Sequence, residues 1–184
     1  MIYIQRYNSC LGGITLASDG DALTGLWFDG QKYFAGNIDD EIEEKDVPVF
    51  VQVRQWLDIY FSGHDPGFTP ALTLDSTPFR RAVWKILLTI PFGKTMTYGE
   101  IAARIAGQKG CRRMSARAVG SAVGHNPISL IIPCHRVVGA DGRMTGYAGG
   151  IDRKVKLLGM ERSACVGTAP HQFRQHVSLQ CVKK

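Results

Sequence analysis

The sequence of 184 residues lacks the features that identify several protein classes. No apolar run approaches the roughly 18 residues of a membrane span, and the first residues, MIYIQRYNSCLGG, have no basic segment followed by an apolar one. The five cysteines are an odd number in a chain without a secretory signal, so a disulfide framework is not indicated. These absences argue against a membrane protein and a disulfide-rich secreted domain. We expect a cytoplasmic protein with at least one free thiol.

Acidic residues are scarce in the second part of the chain. Residues 76–184 contain 18 Lys/Arg but only 4 Asp/Glu, whereas residues 1–75 contain 4 and 12, so the two parts carry net charges of +14 and −8. A basic half can face phosphates, an anionic membrane surface or an acidic protein. Nucleic acid is the favoured partner because no basic amphipathic helix rich in Trp or Phe is present. A basic surface that only faces solvent is the alternative.

Residues 1–75 have the pattern of a small α/β domain. Alternating and β-branched residues on both sides of Asp19-Gly20 predict antiparallel strands joined by a hairpin. The acidic segment NIDDEIEEKD then predicts a connection, and apolar residues at helical spacing predict one helix. The Gly- and Pro-containing segment SGHDPGFTPALTLDST indicates a linker, at which we place the domain boundary. The apolar positions of the helix are Val49, Val53, Trp56 and Tyr60.

The basic part has the pattern of a helical domain. Thr77 followed by Pro78 predicts the start of one helix. The segment TYGEIAARIAG has capping-box spacing at its start and Gly107 as its predicted end. A further helix begins near Ser115, and two short helices in succession suggest a helix-turn-helix. The segment IDRKVKLLGMER predicts a last helix.

The predicted fold class is therefore α+β. A small N-terminal α/β domain with an antiparallel sheet occupies residues 1–75, and a helical C-terminal domain with a helix-turn-helix occupies residues 76–162. Residues 163–184 have few apolar anchors and end in two lysines, so we expect a poorly ordered tail.

Reactive side chains follow an apolar strip in the segment ISLIIPCHRVVG, residues 128–139. Pro133 fixes the backbone before Cys134, and His135 and Arg136 can stabilise a thiolate, which is the nucleophilic form of cysteine. A buried, inert cysteine is the structural alternative. A Cys-His hydrolase is disfavoured because adjacent side chains rarely make the direct nucleophile-base contact, whereas a relay through water is easier at this spacing.

The predicted third helix, SARAVGSAVG, has almost no bulk except Arg117. Its backbone can therefore approach another surface closely while one long cation projects from it. Close packing between helices is the alternative explanation for the small residues. The cation favours DNA as the surface.

These motifs resemble those of the O6-alkylguanine-DNA alkyltransferases. The resemblance is carried by PCHRVVG at 133–139, ARAVGSAVGHNPISLII at 116–132, FGKTMTYGEIA at 92–102 and TGYAGG at 145–150. It covers residues 76–162 continuously, and the N-terminal half fits in general pattern. The resemblance implies DNA repair by irreversible, single-turnover transfer of a methyl or larger alkyl group from O6-alkylguanine, with O4-methylthymine as a further substrate. It implies double-stranded DNA with alkylated bases as the partner, a monomer, and no cofactor.

The resemblance also implies roles for residues of the active site. Cys134 is similar to the alkyl acceptor of the family. His135, through a water molecule and with Glu161 behind it, resembles the group that removes the thiol proton. Asn126 resembles the asparagine that ties the recognition helix to the active-site segment.

A second set of residues is expected to bind DNA and the target base. Arg117 resembles the side chain that fills the space of an extruded base, and Tyr98 the one that helps to turn the nucleotide out. The backbone carbonyls of Cys134 and Val137 are expected to contact the exocyclic amine. Ala148 stands where some relatives have serine, but it keeps a backbone N–H for O6. The full DNA- and base-binding set is Ser115, Arg117, Tyr98, Val137, Tyr147 and Ala148.

Two segments give weaker indications. The residues QKGCRRM, 108–114, look longer and more basic than the usual helix connection of the family, and they suit either a solvated loop or phosphate contacts. The side chains of Cys165, His171, His176 and Cys181 lack the short Cys-x-x-Cys spacing of structural zinc sites, and the N-terminal half offers only Cys10 and His64. We therefore predict no metal.

Two other functions are consistent with parts of the sequence. A non-catalytic sensor of alkylated bases is one, but such relatives of the family typically carry another residue in place of Cys134. A transcriptional regulator is the other, but it would leave Cys134, His135 and Glu161 without a purpose.

Overall fold

A four-stranded sheet with one helix packed on it forms the N-terminal domain. The structure, a computed structural model, describes residues 1–36, 38 and 41–166. The first three strands form an antiparallel meander, as predicted, and Asp19 Oδ1 accepts hydrogen bonds from the backbone of Asp21 and Ala22 in the turn between the second and third. The elements are β1 (Ile2–Ser9), β2 (Gly12–Ser18), β3 (Leu23–Phe28), β4 (Ile42–Glu44) and α1 (Pro48–Phe61).

The fourth strand differs from the predicted acidic connection. β4 pairs with β1 in parallel, and Ile2 N donates a hydrogen bond of 2.7 Å to Glu41 O. All three residues of β4 are exposed. A short, charged edge strand satisfies the backbone groups of β1 and discourages pairing with other chains, which explains why an acidic segment forms a strand here.

The C-terminal region is helical, and this arrangement confirms the α+β fold class. The predicted starts at Thr77, Thr97 and Ser115 are confirmed as N-caps, with a full capping box between Thr97 and Glu100. The packed pair α3 and α4 forms the helix-turn-helix. The elements are α2 (Pro78–Leu87), β5 (Met96–Thr97), α3 (Tyr98–Lys109), α4 (Ala116–Gly124), a 3-10 turn (Cys134–Arg136), β6 (Val137–Val138) and α5 (Ile151–Val166).

Helix α3 continues past Gly107, where its end is predicted. Gly107 lies inside the helix, and Gly110 ends it with a left-handed φ of 64°. The backbone N–H groups of Gly110 and Cys111 donate to the last carbonyls of the helix. A left-handed glycine is the common way to end a helix, so the later of the two glycines has this role.

The apolar strip before Cys134 is buried because it runs between the two parts of the molecule. Leu26 N donates to Pro127 O at 2.9 Å, and Ser129 N donates to Leu26 O at 2.9 Å. Gln31 Oε1 accepts hydrogen bonds from Phe28 N and from the Ser129 hydroxyl. The strip thus extends the edge of β3, and the N-terminal sheet holds the segment that carries Cys134.

Helix α5 extends beyond residue 163, where the tail is expected to begin. Ser163 Oγ donates to Gly159 O, and Cys165 lies against the turn after α2, with Sγ 3.9 Å from Phe92 O. This packing explains the additional turn of helix. Residues 167–184, which include His171, His176 and Cys181, lie outside the described residues. No helix in the described part of the chain is long and apolar enough to cross a membrane.

We predict that Gly25→Ala destabilises the protein. A Cβ at Gly25 would lie 1.8 Å from the buried Trp27 ring, so the ring must move, at a cost of about 2 kcal/mol or more. Gly107→Ala is the matched control, because its Cβ meets open space and alanine favours a helix by about 1 kcal/mol. Urea denaturation measures the free energy of unfolding of both variants. Equal stability of the two variants would contradict the packing described for β3.

Candidate active site

A pocket of about 310 Å³ lies between the N-terminal domain and the helix-turn-helix. Four of the residues predicted from the sequence line it together: Tyr98, Cys134, Tyr147 and Ala148. A volume of this size is at the lower end of the range for small-molecule sites, about 300 to 1,000 Å³. It suits a single small ring system next to the thiol.

Cys134 begins the 3-10 turn that follows Pro133, and only 3% of it is exposed. Burial raises the pKa of the Cys134 thiol. The hydrogen bond from Asn126 Nδ2, 3.1 Å from Sγ, and the charge of Lys154 lower it in part. The resting side chain is therefore a thiol, and a base is needed to make it a nucleophile.

Asn126 joins the end of α4 to the segment with Cys134. Its Nδ2 donates to Ile132 O at 2.8 Å and to Ile128 O at 3.2 Å, and its Oδ1 accepts from Ile128 N at 3.0 Å. This buried amide uses both its donor and its acceptor groups on one short stretch of backbone. It fixes the position of Cys134 relative to the helix-turn-helix.

His135 and Glu161 form a fully buried pair. Nε2 of His135 lies 2.6 Å from Glu161 Oε1, and neither side chain is exposed. Nδ1 of His135 is also buried, and it has no hydrogen-bond partner within the described ranges. Burial lowers the pKa of His135, and the hydrogen bond with Glu161 offsets part of that effect, so the resting imidazole is neutral. A neutral imidazole with an unused Nδ1 can accept a proton.

The Glu161 carboxylate accepts hydrogen bonds from several parts of the chain. Arg136 donates through Nε and Nη2 at 3.0 and 3.1 Å, Gly93 N at 3.0 Å, and the Tyr60 hydroxyl at 2.7 Å. Burial alone would raise the pKa of Glu161, but the hydrogen bond and charge of His135, followed by those of Arg136, lower it to about 2. The carboxylate therefore stays ionised at neutral pH.

Sequence reasoning missed Tyr60 and the bonds of Arg136 to Glu161. Tyr60 has the helical spacing of the apolar face of α1, which predicts a core residue and gives no sign of a role for its hydroxyl. Its ring is indeed in the core, but the hydroxyl reaches the carboxylate on α5. That contact depends on how α1 and α5 pack, which no local pattern reveals.

Lys154 is a second buried cation that sequence reasoning missed. Its Nζ donates to Val137 O at 2.5 Å and to Thr145 O at 2.8 Å, and burial lowers the pKa of Lys154 to about 8. The signal was present, because Lys154 and Glu161 are two turns apart on the same face of α5. The carbonyl of Val137, expected to contact the base, thus already accepts one hydrogen bond and has one lone pair left.

Three of the expected base-binding residues form walls of the pocket. Tyr98 is the first residue of α3, and its ring packs along α4, where a Cβ at Gly120 would lie 3.7 Å from it. The hydroxyl of Tyr98 lies 3.4 Å from Thr145 O. Ala148 accepts a hydrogen bond of 2.9 Å from Lys32 N, and Tyr147 lies beside it. The small residues of α4 therefore make room for the tyrosine ring.

The structure does not bring Arg117 and Ser115 into the pocket. Both are exposed at the start of α4, where the Ser115 hydroxyl caps the helix. Arg117 therefore projects from the outer face of the helix-turn-helix. In the preceding connection, Arg112 and Arg113 are exposed as well.

The N-terminal domain contributes Lys32 and Tyr33 to the pocket mouth, which sequence reasoning also missed. The Tyr33 ring stacks on His125 with centroids 4.1 Å apart, next to Lys32 Nζ at 5.0 Å from the Tyr33 ring. Within the residues that the structure describes, no group of three or more His, Cys, Asp or Glu could hold a metal ion.

Comparisons with known proteins give consistent results. Residues 2–75 match the family model described as 6-O-methylguanine DNA methyltransferase, ribonuclease-like domain. Residues 78–163 match the model described as 6-O-methylguanine DNA methyltransferase, DNA binding domain. A methylated-DNA–protein-cysteine methyltransferase of Mycobacterium bovis is 45% identical over 163 residues, 89% of this chain and 94% of that protein. One of Haemophilus influenzae is 37% identical over 181 residues, covering 95% and 97%. The crystal structure of Mycobacterium tuberculosis OGT in complex with DNA has a TM-score of 0.76 at 42% identity, covering 88% and 94%.

We predict that Glu161→Gln lowers the free energy of unfolding by about 3 to 5 kcal/mol, because it leaves Arg136 without its counter-charge. Adding Arg136→Gln should restore part of the loss, since the two changes affect one ion pair. The pKa of Glu161 is lower in the folded protein than the ordinary 4.5, so its contribution is present above that pH and is lost as pH falls toward 2. Denaturant titrations over this range test both points. If the two substitutions lowered the free energy of unfolding additively, the ion pair between Glu161 and Arg136 would be contradicted.

Proposed function

The chain belongs to the O6-methylguanine DNA methyltransferase family, and from this premise we propose that it repairs DNA by moving an alkyl group from O6 of guanine to Sγ of Cys134. O4-methylthymine is a further substrate of the same site. The observation that carries the proposal is the position of Cys134: its thiol faces a pocket of ring size and has the buried His135–Glu161 pair beside it in the chain.

The reaction is an in-line displacement at the alkyl carbon. The bond between carbon and O6 breaks as the bond between carbon and sulfur forms, and the pair of electrons of the broken bond stays on the guanine oxygen. The thiol proton passes through a water molecule to Nδ1 of His135 and is then returned to the departing guanine, so the imidazole ends neutral and charge balances. The buried Nδ1 and the Nε2–H held by Glu161 support this route.

The product is a thioether, which water does not cleave under mild conditions. Each molecule therefore reacts once and needs no cofactor. Asn126 holds the acceptor thiol in place through Nδ2, and the charge of Lys154 favours the thiolate as it forms.

Base extrusion brings the lesion to the thiol, because O6 lies inside a stacked duplex. Arg117 enters the space left by the nucleotide, Ser115 contacts the backbone beside it, and Tyr98 rotates the nucleotide outward. Tyr147, the N–H of Ala148 and the carbonyls of Cys134 and Val137 then surround the base. The exposure of the start of α4 and the net charge of +14 on residues 76–184 support this binding mode. The groups proposed for extrusion and transfer all lie in one chain, which supports action as a monomer, and we further propose that this action takes place in the cytoplasm.

The first test is the mass of the protein after mixing with duplex DNA that contains one O6-methylguanine. We expect the gain of one methyl group per molecule, on the peptide with Cys134, and no gain in Cys134→Ala. Cys111→Ala, which removes an exposed thiol, is the control that should react like the wild type. Lesion-selective binding without any gain in mass would favour a sensor and overturn the proposed transfer.

The second test separates base extrusion from chemistry. Arg117→Ala should lower the rate of transfer from duplex DNA about tenfold to a hundredfold, since extrusion of a base costs a few kcal/mol. Its rate with the free base O6-benzylguanine, which needs no extrusion, should be unchanged. Arg162→Ala, an exposed arginine of α5, is the matched control. An equal loss on both substrates would place the effect of Arg117 in the chemical step and contradict its proposed role.

A further inference from the structure

We propose that Tyr60, in the N-terminal domain, is a positioning residue for the proton transfer from Cys134. Its hydroxyl orients the Glu161 carboxylate and the His135 ring, so the N-terminal domain takes part in the reaction as well as supporting the fold. This inference rests on the proposed function and adds a residue that lies outside the motifs of the C-terminal region.

Three polar groups meet at one point in the core. The Tyr60 hydroxyl lies 2.7 Å from Glu161 Oε1 and 3.2 Å from His135 Nε2, and these two atoms are 2.6 Å apart. All three side chains are completely buried. The hydroxyl is therefore a direct partner of both members of the pair.

The hydrogen positions in this triangle follow from what each group can do. An ionised carboxylate only accepts, so the Tyr60 hydroxyl must donate its hydrogen to Glu161. Its oxygen then has lone pairs that face Nε2, and both neighbours of Nε2 are acceptors. His135 must therefore carry its hydrogen on Nε2. Nδ1 is then left as the acceptor for the thiol proton.

Burial, followed by the charge of Glu161, raises the pKa of Tyr60 well above its ordinary value, so the phenol keeps its hydrogen throughout the working pH range. The hydroxyl is thus a permanent donor.

Rings on several sides prevent Tyr60 from turning away. Trp56 is stacked on it with centroids 5.1 Å apart, and the rings of Phe61, Phe92 and His135 meet it edge-on at 5.5, 6.0 and 6.2 Å. A phenylalanine would fill almost the same space. The packing alone thus does not require a hydroxyl, whose burial is unfavourable without hydrogen bonds.

The charges around the pair leave orientation as the main effect of Tyr60. Arg136 on the same turn already compensates Glu161, and Lys154 on α5 and Tyr147 also interact electrostatically with the pair. The ion pair with Arg136 does not by itself fix the plane of the carboxylate. The Tyr60 hydroxyl and Gly93 N bind different oxygens, Oε1 and Oε2, and so fix the plane of the carboxylate.

The experiment compares Tyr60→Phe with the wild type in the full chain. The rate of methyl transfer from duplex DNA is measured between about pH 5 and pH 9, the range in which His and Cys titrate. We expect Tyr60→Phe to lower the rate roughly ten- to a hundredfold at neutral pH, because the His135 imidazole is no longer held in the orientation for proton transfer. The difference in rate between the variant and the wild type should become smaller as pH rises, since a thiol that ionises directly needs no base. Tyr7→Phe is the matched control and should keep the wild-type profile, because the Tyr7 hydroxyl donates to Asp58 Oδ1 at 2.7 Å and does not contact Glu161.

A second comparison distinguishes positioning from packing. In a His135→Gln background, Tyr60→Phe should lower the rate less than twofold, because the group it orients is already gone. If Tyr60→Phe lowered the rate in the His135→Gln background by the same factor as in the wild type, its effect would be structural and the proposal would be overturned.

The remaining outcomes are also separable. If the wild type transfers no methyl group to Cys134, the proposed function fails, whatever Tyr60 does. If the wild type reacts and Tyr60→Phe matches its rate and pH profile, the positioning role alone fails. Nitrogen-15 NMR of His135 in the wild type tests the geometry even if the variant does not fold, because the triangle requires hydrogen on Nε2. A resting Nδ1–H form would contradict it.

Discussion

The structure depends on the burial of one ionised carboxylate, that of Glu161. A buried charge is tolerated only with a counter-charge and hydrogen bonds, and here donors arrive from α1, from the turn after α2 and from the turn that begins at Cys134. These segments are distant in sequence, so satisfying one carboxylate fixes their relative positions. The active site is thereby built where the two parts of the chain pack together, and the same contacts that hold the core hold its geometry.

A second consequence concerns the state of the acceptor thiol. The strip before Cys134 bonds to the edge of β3 on one side and to Asn126 on the other, so the thiol is nearly enclosed and its pKa is raised. A permanently ionised thiolate would react with many electrophiles, and a protein that reacts once would be lost to each of them. A thiol that keeps its proton at rest protects the acceptor, and it then needs a base, the role that we propose for the His135–Glu161 pair.

Local chemistry explains what could be predicted from the sequence. Helix starts at Thr77, Thr97 and Ser115 depend on side chains within three residues, and the resemblance located Cys134, His135 and Asn126 within one continuous motif. The pairing of β4 and the hydroxyl of Tyr60 depend instead on contacts between distant segments. Lys154 is an intermediate case, because its two-turn spacing from Glu161 was visible but its burial was not. Periodicity identifies the face of a helix that is buried, and it does not reveal which buried atoms are polar partners.

The division of charge between the two parts of the chain is consistent with this arrangement. Residues 1–75 carry a net charge of −8, so their outer surface is repelled by phosphates, while residues 76–184, with +14, are attracted. This difference in charge favours contact of DNA with the helix-turn-helix over contact with most of the N-terminal surface. The N-terminal domain still reaches the site in two places, through Lys32 and Tyr33 at the pocket mouth and through Tyr60 behind the His135–Glu161 pair. The net charge of the N-terminal domain thus opposes the approach of phosphates, and the role that we propose for Tyr60 lets the same domain act on the chemistry from the core.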